Sequence, residues 1–247
     1  MKMTKCLICN SETNLKEFIN FGNFPYANFP VNYNQFNKYV KKQNLSKKIR
    51  SDLNLQSCKT CNYLKIKKNP NNKILEKIYE QFYTYPSPLE ENFDPVRDNK
   101  FLEILNKYLK KTLVKTIFEV GCYDGYILHQ LKKKQYIVEG CEPSDGADIA
   151  KKNGLNVFKG FFNKKKYIGK SYDLIVIRHT LEHIYNLKKI ITDLKSVMKE
   201  NSTLIVEVPN IQYYLKKGLL EVFSLQHLHY FSIKTFVNIC KRFGLDI

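Results

Sequence analysis

The segment Phe118-Glu-Val-Gly-Cys-Tyr-Asp-Gly125 decides the fold. Its apolar beginning predicts a strand over residues 116–120, and the glycines predict a tight turn into a helix over residues 126–134. A glycine at the end of a strand lets a ligand approach the backbone, and the N–H groups that open the next helix can face that ligand. The segment therefore predicts a site for a nucleotide-type cofactor.

Strand and helix patterns alternate on the carboxyl-terminal side of this segment. Further strands are predicted over residues 136–141, 156–159, 173–177 and 203–208. Further helices are predicted over residues 147–153, 187–199 and 233–243, the last one capped by Ser232. Because this alternation is typical of a doubly wound, largely parallel sheet, we predict a Rossmann-like α/β fold.

Two residues narrow the choice of cofactor. Tyr123 stands where a dinucleotide fingerprint has its second glycine, so a pyrophosphate would have less room. Glu142 ends the next strand, 21 residues after Gly121, where a carboxylate can bind ribose hydroxyls. A nucleoside cofactor without a diphosphate fits better, which favours S-adenosylmethionine (SAM) over NAD. The alternative is a tight turn that binds no ligand.

Two Cys-x-x-Cys pairs, Cys6 with Cys9 and Cys58 with Cys61, predict a zinc site. Four thiolates complete a tetrahedron and leave no open position, so this zinc is expected to be structural. Chance spacing or disulfide pairing is the alternative. The chain has no apolar secretory leader, so we expect a reducing, cytoplasmic location in which metal binding is favoured. Residues 1–70 are expected to be irregular, because a metal rather than a core supplies their folding energy.

The formal net charge of +18 raises the possibility of a nucleic-acid partner. Only four of the 41 basic residues are arginine, the residue best suited to forked phosphate and guanine contacts, and the lysines are spread along the chain. We therefore consider nucleic acid an unlikely partner and expect a small anionic acceptor. No apolar run of 18 residues is present, so membrane insertion is not expected.

A series of motifs resembles, in order, the sugar C-methyltransferase family. They comprise the two cysteine pairs and residues 21–28, 53–61, 82–87, 119–125, 140–144, 178–183, 207–209 and 226–232. The resemblance covers nearly the whole chain and implies a Rossmann-like class I methyltransferase with a small N-terminal zinc-binding domain. It also implies SAM-dependent methylation of nucleotide-linked deoxysugars, here for capsule or surface polysaccharide biosynthesis.

The resemblance places the cofactor among residues of these motifs. Glu119, Gly121 and Asp124 would line its methionine side, Glu142 its ribose, and Phe162 or Asn163 its adenine. The other cofactor-binding residues implied are Cys122, Gly125, Pro143, Arg178 and His179.

The same resemblance implies the acceptor side. His227 matches the family's general base, and a near-neutral imidazole can take a proton from a hydroxyl or an acidic C–H. Gln226 and His183 are assigned to catalysis beside it; Tyr83, Tyr85 and His229 are assigned to the substrate. Two alternatives stay open here: His229 is the base, or His227 is a structural histidine. His183 either faces the transferred methyl group or caps a helix.

The chain departs from the family at two places. The family usually has Tyr-x-Glu-His where this chain has Ser224-Leu-Gln-His227, and it continues into a C-terminal domain of well over a hundred residues. This sequence stops in the first residues of a sixth strand. For these reasons O-methylation is slightly favoured over C-methylation.

We expect three segments in the chain. They are a zinc-binding domain over residues 1–70, a linker and substrate-facing segment over 71–98, and a SAM-binding methyltransferase domain with incomplete C-terminal strands over 99–247. Two other functions stay open: an RNA methyltransferase that uses the zinc lobe and basic surface, and a non-catalytic scaffold that binds the cofactor.

Overall fold

The structure, a computed structural model, describes residues 5–11, 15–27, 31–42, 49–91 and 94–247. Its strands are β1 Lys16–Pro25, β2 Arg50–Ser57, β3 Leu64–Ile66, β4 Thr116–Val120, β5 Ile137–Glu142, β6 Asn156–Lys159, β7 Tyr172–Arg178, β8 Met198–Glu207 and β9 His229–Tyr230. Its helices are α1 Tyr33–Lys42, α2 Asn72–Gln81, α3 Val96–Leu109, α4 Tyr126–Lys133, α5 Gly146–Lys152, α6 Leu187–Lys195, α7 Ile211–Lys217 and α8 Ile233–Arg242. No helix in these ranges is long and apolar enough to cross a membrane. Asn28, which ends one of the family motifs, lies outside the described residues.

A five-stranded parallel sheet in the order β6-β5-β4-β7-β8 carries the C-terminal part of the chain. Successive side chains of β7 enter opposite layers: Leu174 and Val176 pack with α3 and α4, whereas Ile175 and Ile177 pack with α6 and α8. Helices therefore cover both faces of the sheet, which is why the central strand β7 is apolar from Leu174 to Ile177. The Rossmann-like α/β fold predicted from the alternation is confirmed.

Asp173 joins three strands at the amino-terminal edge of this sheet. Its carboxylate accepts hydrogen bonds from the N–H groups of Lys115 and Thr116, at 2.9 and 2.8 Å, and pairs with the Lys199 ammonium at 2.7 Å. Burial alone would raise the pKa of Asp173, but these donors hold it well below its usual value.

The predicted helix over residues 187–199 ends early, at Lys195. Ser196 caps it and donates its hydroxyl to the carbonyl of Asp193 at 2.6 Å, so β8 begins at Met198, before the predicted start at 203. Helix α8 agrees closely with the prediction, because Ser232 and Thr235 form a reciprocal capping box at its start.

The expected irregularity of residues 1–70 is wrong. Strands β1, β2 and β3 form an antiparallel sheet whose fourth strand, β9, comes from the far end of the chain. Beneath this sheet lies a core that includes Leu53 and Leu55 of β2 together with Leu225, Leu228 and Tyr230. Apolar residues thus stabilise the N-terminal part in addition to any metal. The three-segment division stays a prediction. Strand β9 belongs to the predicted segment 99–247 but pairs with β3 of the predicted segment 1–70.

Candidate active site

A cavity of about 470 Å³ lies at the carboxyl ends of β4, β5 and β7, facing α2 and residues 83–88. Open α/β sheets bind ligands outside the carboxyl ends of their strands, where the strand order reverses. Here the order reverses at the neighbouring strands β4 and β7. The volume falls in the range of small-molecule sites, roughly 300–1,000 Å³.

Most of the residues predicted to form the site line this cavity. They are Tyr83, Tyr85, Glu119, Gly121, Cys122, Asp124, Glu142, Pro143, Phe162, Arg178, His179 and His183. Five predicted residues are not among the lining residues: Gly125, Asn163, Gln226, His227 and His229.

Gly121 brings the end of β4 close to the loop that follows β7. Its φ of +72° is in the left-handed region, and a Cβ added there would lie 2.2 Å from Thr180 Oγ1. Any side chain at this position would therefore meet both backbone strain and a steric clash. The close neighbour seen here is Thr180, and the approach of a ligand to this backbone stays a prediction.

Glu142 fixes the loop after β4 from the end of β5. Its carboxylate oxygens accept hydrogen bonds from the N–H groups of Tyr123, at 3.1 Å, and Ser144, at 2.9 Å. Burial raises the pKa of Glu142, and these donors oppose the rise. The carboxylate is thus oriented by backbone donors while it lines the cavity.

Glu119 and Arg178 form the charged floor of the cavity. Glu119 is 3% exposed, and its Oε2 has no hydrogen-bond partner among the described residues. Burial raises its pKa to about 8, although nearby Arg178 opposes the rise. Arg178 itself bonds to Glu207 at 2.7 Å and pairs with Asp98 at 2.9 Å. A buried, unpartnered carboxylate oxygen at a cavity wall suits a ligand that brings a hydrogen-bond donor, such as an ammonium group.

An aromatic group closes the side of the cavity beyond β5. Phe162 lines it and stacks on Tyr167, with ring centroids 5.5 Å apart. Asn163 instead caps the following 3₁₀ turn by accepting a hydrogen bond from the N–H of Lys165. Gly125 enters helix α4 in the left-handed conformation and packs near Leu155, so its role is in the turn.

Tyr123 pins the segment over residues 83–88 to the cofactor loop. Its hydroxyl donates to the carbonyl of Tyr85 and accepts from the Tyr85 N–H at 3.0 Å. Two residues on, Ser87 donates its hydroxyl to Asp124 at 2.6 Å. Sequence reasoning used Tyr123 only as a steric argument and missed this contact, which no local pattern reveals.

Two histidines meet near the acceptor end of the cavity. The rings of His183 and His227 have centroids 4.8 Å apart, and each Nδ1 lies within hydrogen-bond distance of a backbone carbonyl, of Gln226 at 2.9 Å and of Val222 at 2.6 Å. A carbonyl only accepts, so Nδ1 of each neutral ring carries the proton and Nε2 the lone pair. The Tyr79 hydroxyl also lies 2.9 Å from His183 Nδ1, where its oxygen can accept from the same N–H. Burial lowers the pKa of His183 to about 3 and that of His227 to about 4.

Gln226 and His229 have structural contacts instead. The Gln226 side chain is buried and donates to the carbonyl of Tyr26 at 3.3 Å. His229 is buried too: Nε2 donates to the carbonyl of Ile184 at 2.8 Å, and Nδ1 accepts from the Tyr63 hydroxyl. Because both ring nitrogens are engaged away from the cavity, we remove His229 from the substrate side and from the candidates for the base.

Glu182 was absent from the predicted site. It is 2% exposed, its Oε1 lies 3.9 Å from His183 Nε2, and its Oε2 has no hydrogen-bond partner within the described ranges. One ligand atom from each of Glu182, His183 and His227 lies within 4.8 Å of the others. The sequence signal was present in Leu181-Glu-His183, where the acidic neighbour of a candidate histidine received no role.

The four predicted zinc ligands converge at the end of the N-terminal sheet. Their sulfur atoms all lie within 4.8 Å of one another, and the Cys6–Cys61 and Cys9–Cys58 pairs are each 3.7 Å apart. Four sulfurs placed 2.3 Å from a central zinc ion would be about 3.8 Å apart, so the cluster fits a tetrahedral thiolate site. An asparagine in the left-handed conformation follows each Cys-x-x-Cys motif: Asn10 follows Cys9, and Asn62 follows Cys61. These residues turn the chain around the cluster.

The fold is similar to that of known methyltransferases. The structure of the plantazolicin methyltransferase BamL with a triazolic desmethylPZN analog and SAH matches with 20% identity and a TM-score of 0.50, over 62% of this chain and 64% of that one. BpumL, a plantazolicin methyltransferase solved with SAH, matches with 19% identity and a TM-score of 0.50, over 63% and 68%. A SAM-dependent methyltransferase from Archaeoglobus fulgidus matches with 20% identity and a TM-score of 0.48, over 60% and 68%. The chain thus spans a little under two thirds of BamL. At these identities BamL and BpumL show the Rossmann-like methyltransferase fold alone.

A search of curated proteins found no match. The family model described as "Methyltransferase domain" matches residues 93–247, which include all five strands of the parallel sheet and the loops that line the cavity. Because this match covers more than half of the chain, the protein belongs to the methyltransferase-domain family.

Proposed function

We propose that this protein transfers a methyl group from SAM to a hydroxyl of a small anionic acceptor, nucleotide-linked or phosphorylated, in surface polysaccharide biosynthesis. The observation that carries the proposal is the cavity that Glu119, Glu142 and His183 line together, with the His227 ring 4.8 Å from that of His183. One end offers carboxylates and an aromatic wall, and the other offers imidazoles. O-methylation is favoured over C-methylation because the carboxylate that usually precedes the base is Gln226 here.

The cofactor end fits SAM in its charges and its shape. Glu119 Oε2 accepts no hydrogen bond from the described residues, and the ammonium group in the methionine part of SAM would donate one to it. Glu142 is oriented to bind ribose hydroxyls, and Phe162 offers an aromatic surface for adenine. Bound SAM would supply an electrophilic methyl group, whose bonding electron pair stays on sulfur in the product S-adenosylhomocysteine. Tyr123 would hold the Tyr85 segment over this end.

Two cations on the cavity wall support an anionic substrate. Arg97 lies over the Tyr85 ring at 6.0 Å from its centroid, and Lys189 pairs with Asp193, which also lines the cavity. Both cations can bind phosphate oxygens. In the proposal His227 and His183 activate the hydroxyl; the simplest form is proton transfer to an imidazole Nε2, and His227 stays the candidate base.

We also propose that zinc occupies the Cys6, Cys9, Cys58 and Cys61 cluster as a structural ion. The sulfur spacing supports it, and all four ligand positions are protein thiolates, so no position is open for chemistry. Thiolates poised for a metal suit a reducing compartment, so we place the reaction in the cytoplasm.

The test is incubation with methyl-labelled SAM and a panel of nucleotide sugars, phosphorylated sugars and short RNAs, read by mass spectrometry. We expect label on a nucleotide-linked or phosphorylated acceptor and none on RNA. His227→Ala and His183→Ala should each lower kcat by about 100-fold or more, the usual effect of removing a group that handles the proton. His129→Ala, on helix α4 away from the cavity, is the matched control and should keep full activity. Label on RNA alone, or full activity in both cavity variants, would overturn the proposal.

A further inference from the structure

Three side chains grouped around His183, which lines the cavity, have the spacing of a metal site. Glu182, His183 and His227 each offer one ligand atom, and these atoms lie within 4.8 Å of one another. Within the described residues this is one of two groups with such spacing; the other is the cysteine cluster. Two imidazoles and one carboxylate form a ligand set typical of divalent metals.

The two histidines are already oriented as metal ligands are. A metal-binding histidine usually donates its second ring N–H to a backbone carbonyl or a carboxylate, which fixes the ring and leaves the other nitrogen to the ion. His183 makes this contact with the carbonyl of Gln226 and His227 makes it with the carbonyl of Val222. Both rings therefore present an Nε2 lone pair, and their centroids are 4.8 Å apart.

Glu182 supplies a second, independent observation. Its side chain is 2% exposed, and Oε2 has no hydrogen-bond partner among the described residues. Its other oxygen, Oε1, lies 3.9 Å from His183 Nε2 and 3.9 Å from His179 Nδ1. Two atoms bound to one ion at about 2.1 Å can be up to about 4.2 Å apart, so the Glu182–His183 spacing already suits a shared ion. A buried carboxylate with an unpartnered oxygen calls for a cation or a donor.

We propose that Glu182, His183 and His227 bind a divalent metal ion at the acceptor end of the cavity. Three protein ligands leave coordination positions open, and His183 lines the cavity, so acceptor oxygens can complete the shell. With the ion bound, the Nε2 atoms of His183 and His227 would be ligands and not bases. The ion would orient the acceptor and lower the pKa of its hydroxyl, whose proton would then leave to water. The role of the ion in activating the acceptor rests on the proposed function, whereas the binding of the ion by these three residues does not.

The ligand chemistry separates this site from the cysteine cluster. Carboxylate and imidazole ligands accept Mn²⁺, whereas four thiolates select zinc. Mn²⁺ is therefore a suitable probe, because it reports on the Glu182 group while the cysteines hold zinc. The intact chain can be used, with no SAM and no acceptor present.

The experiment is a Mn²⁺ titration followed by electron paramagnetic resonance of the free ion. We expect one Mn²⁺ per chain, and at least tenfold weaker binding in His183→Ala, His227→Ala and Glu182→Gln. Glu182→Gln keeps the side-chain shape, so it remains informative if an alanine variant fails to fold by circular dichroism. His129→Ala is the matched control and should bind Mn²⁺ as the unchanged protein does.

Absence of Mn²⁺ binding, or equal binding by all three site variants, would overturn the metal site. Because the titration involves no methyl transfer, a failed search for the acceptor leaves its result intact. The converse result is a protein that binds no Mn²⁺, Mg²⁺ or zinc outside the cysteine cluster and still methylates at full rate. That result would overturn the metal site and leave the proposed function intact.

Discussion

Gly121 offers a direct test of how closely β4 and the loop after β7 approach. Gly121→Ala places a methyl group at φ +72°, 2.2 Å from Thr180 Oγ1. The left-handed conformation costs an alanine about 1–2 kcal/mol. Overpacking against a well-packed neighbour adds about 1–3 kcal/mol. We therefore expect the free energy of unfolding to fall by about 2–5 kcal/mol.

Gly169 is the matched control for the backbone part of this effect. Its φ is +78°, and an added Cβ would have no atom within 4 Å. Gly169→Ala should therefore lose only about 1–2 kcal/mol, the conformational share. The difference between the two variants measures the clash with Thr180, at about 1–3 kcal/mol. Both values come from urea unfolding followed by far-UV circular dichroism.

A double-mutant cycle identifies the partner of the clash. Thr180→Ala removes Oγ1, which donates to the carbonyl of Arg178 at 2.9 Å, so alone it should cost about 0.5–1.5 kcal/mol. With Gly121→Ala it should restore part of the stability, giving a coupling of about −1 to −3 kcal/mol. If Gly121→Ala and Gly169→Ala prove equally destabilising, or if the two effects at 121 and 180 simply add, the close approach is wrong.

Three further predictions concern the cofactor, the sheet edge and the cysteines. Glu142→Gln replaces an oxygen that accepts a backbone N–H, so the affinity for SAM, measured by calorimetry, should fall about tenfold. Glu139→Gln, on the same strand but outside the cavity lining, should leave the affinity for SAM unchanged. Asp173→Asn should destabilise the protein by about 1–2 kcal/mol at pH 7. Since the folded-state pKa of Asp173 is lowered, its contribution is present above the unfolded pKa of about 4 and is lost progressively as pH falls towards the folded-state pKa. In pH-dependent thermal unfolding the gap between the two proteins should therefore start to narrow below about pH 4 and narrow further with each step down in pH; a gap that stays constant over this range would contradict the linkage. If the cysteine cluster binds zinc as proposed, elemental analysis should find the zinc of that cluster lost in Cys58→Ser and retained in Cys240→Ser, which lies outside the cluster.

The sequence was sufficient for the parallel sheet because its central strands are buried on both faces. Residues 174–177 are apolar at every position, as expected for a strand covered by helices, and the glycine turn after β4 identifies the carboxyl edge. Gly121 and Glu142, predicted from their positions at strand ends, line the cavity, as does Glu119, which the family resemblance added; that these residues bind the cofactor stays a prediction.

The N-terminal sheet could not be predicted in the same way. Strand β3 has three residues and β9 has two. Leu64 pairs with Tyr230, 166 positions later, and Lys65 pairs with His229, 164 positions later, in a register set by tertiary contacts. A two-residue strand has no detectable period. For the same reason the residue pattern in Gln226-His-Leu-His229 could not separate His227, whose ring meets His183, from His229, which is held by Tyr63.

The contacts of His229 connect the cysteine cluster to the acceptor end of the cavity. Tyr63 lies two residues after Cys61 in the same core, and its hydroxyl donates to His229, whose Nε2 donates to the carbonyl of Ile184, next to His183. Tyr63→Phe leaves the Nδ1 of a buried ring without a donor, which costs about 1–3 kcal/mol.

Tyr63→Phe should weaken acceptor binding, which would be seen as a higher KM for the acceptor. The Kd for SAM should stay the same, because the proposed cofactor residues of β4 and β5 belong to the other sheet. Tyr172→Phe is the comparison: that hydroxyl is also in the core but donates to Glu139, away from His183, so its loss should affect stability alone. Equal effects of Tyr63→Phe on SAM and on the acceptor would mean that the cluster supports the fold in general. An effect on the acceptor alone would mean that the N-terminal sheet holds the acceptor loop in place, which explains why a methyltransferase domain carries it.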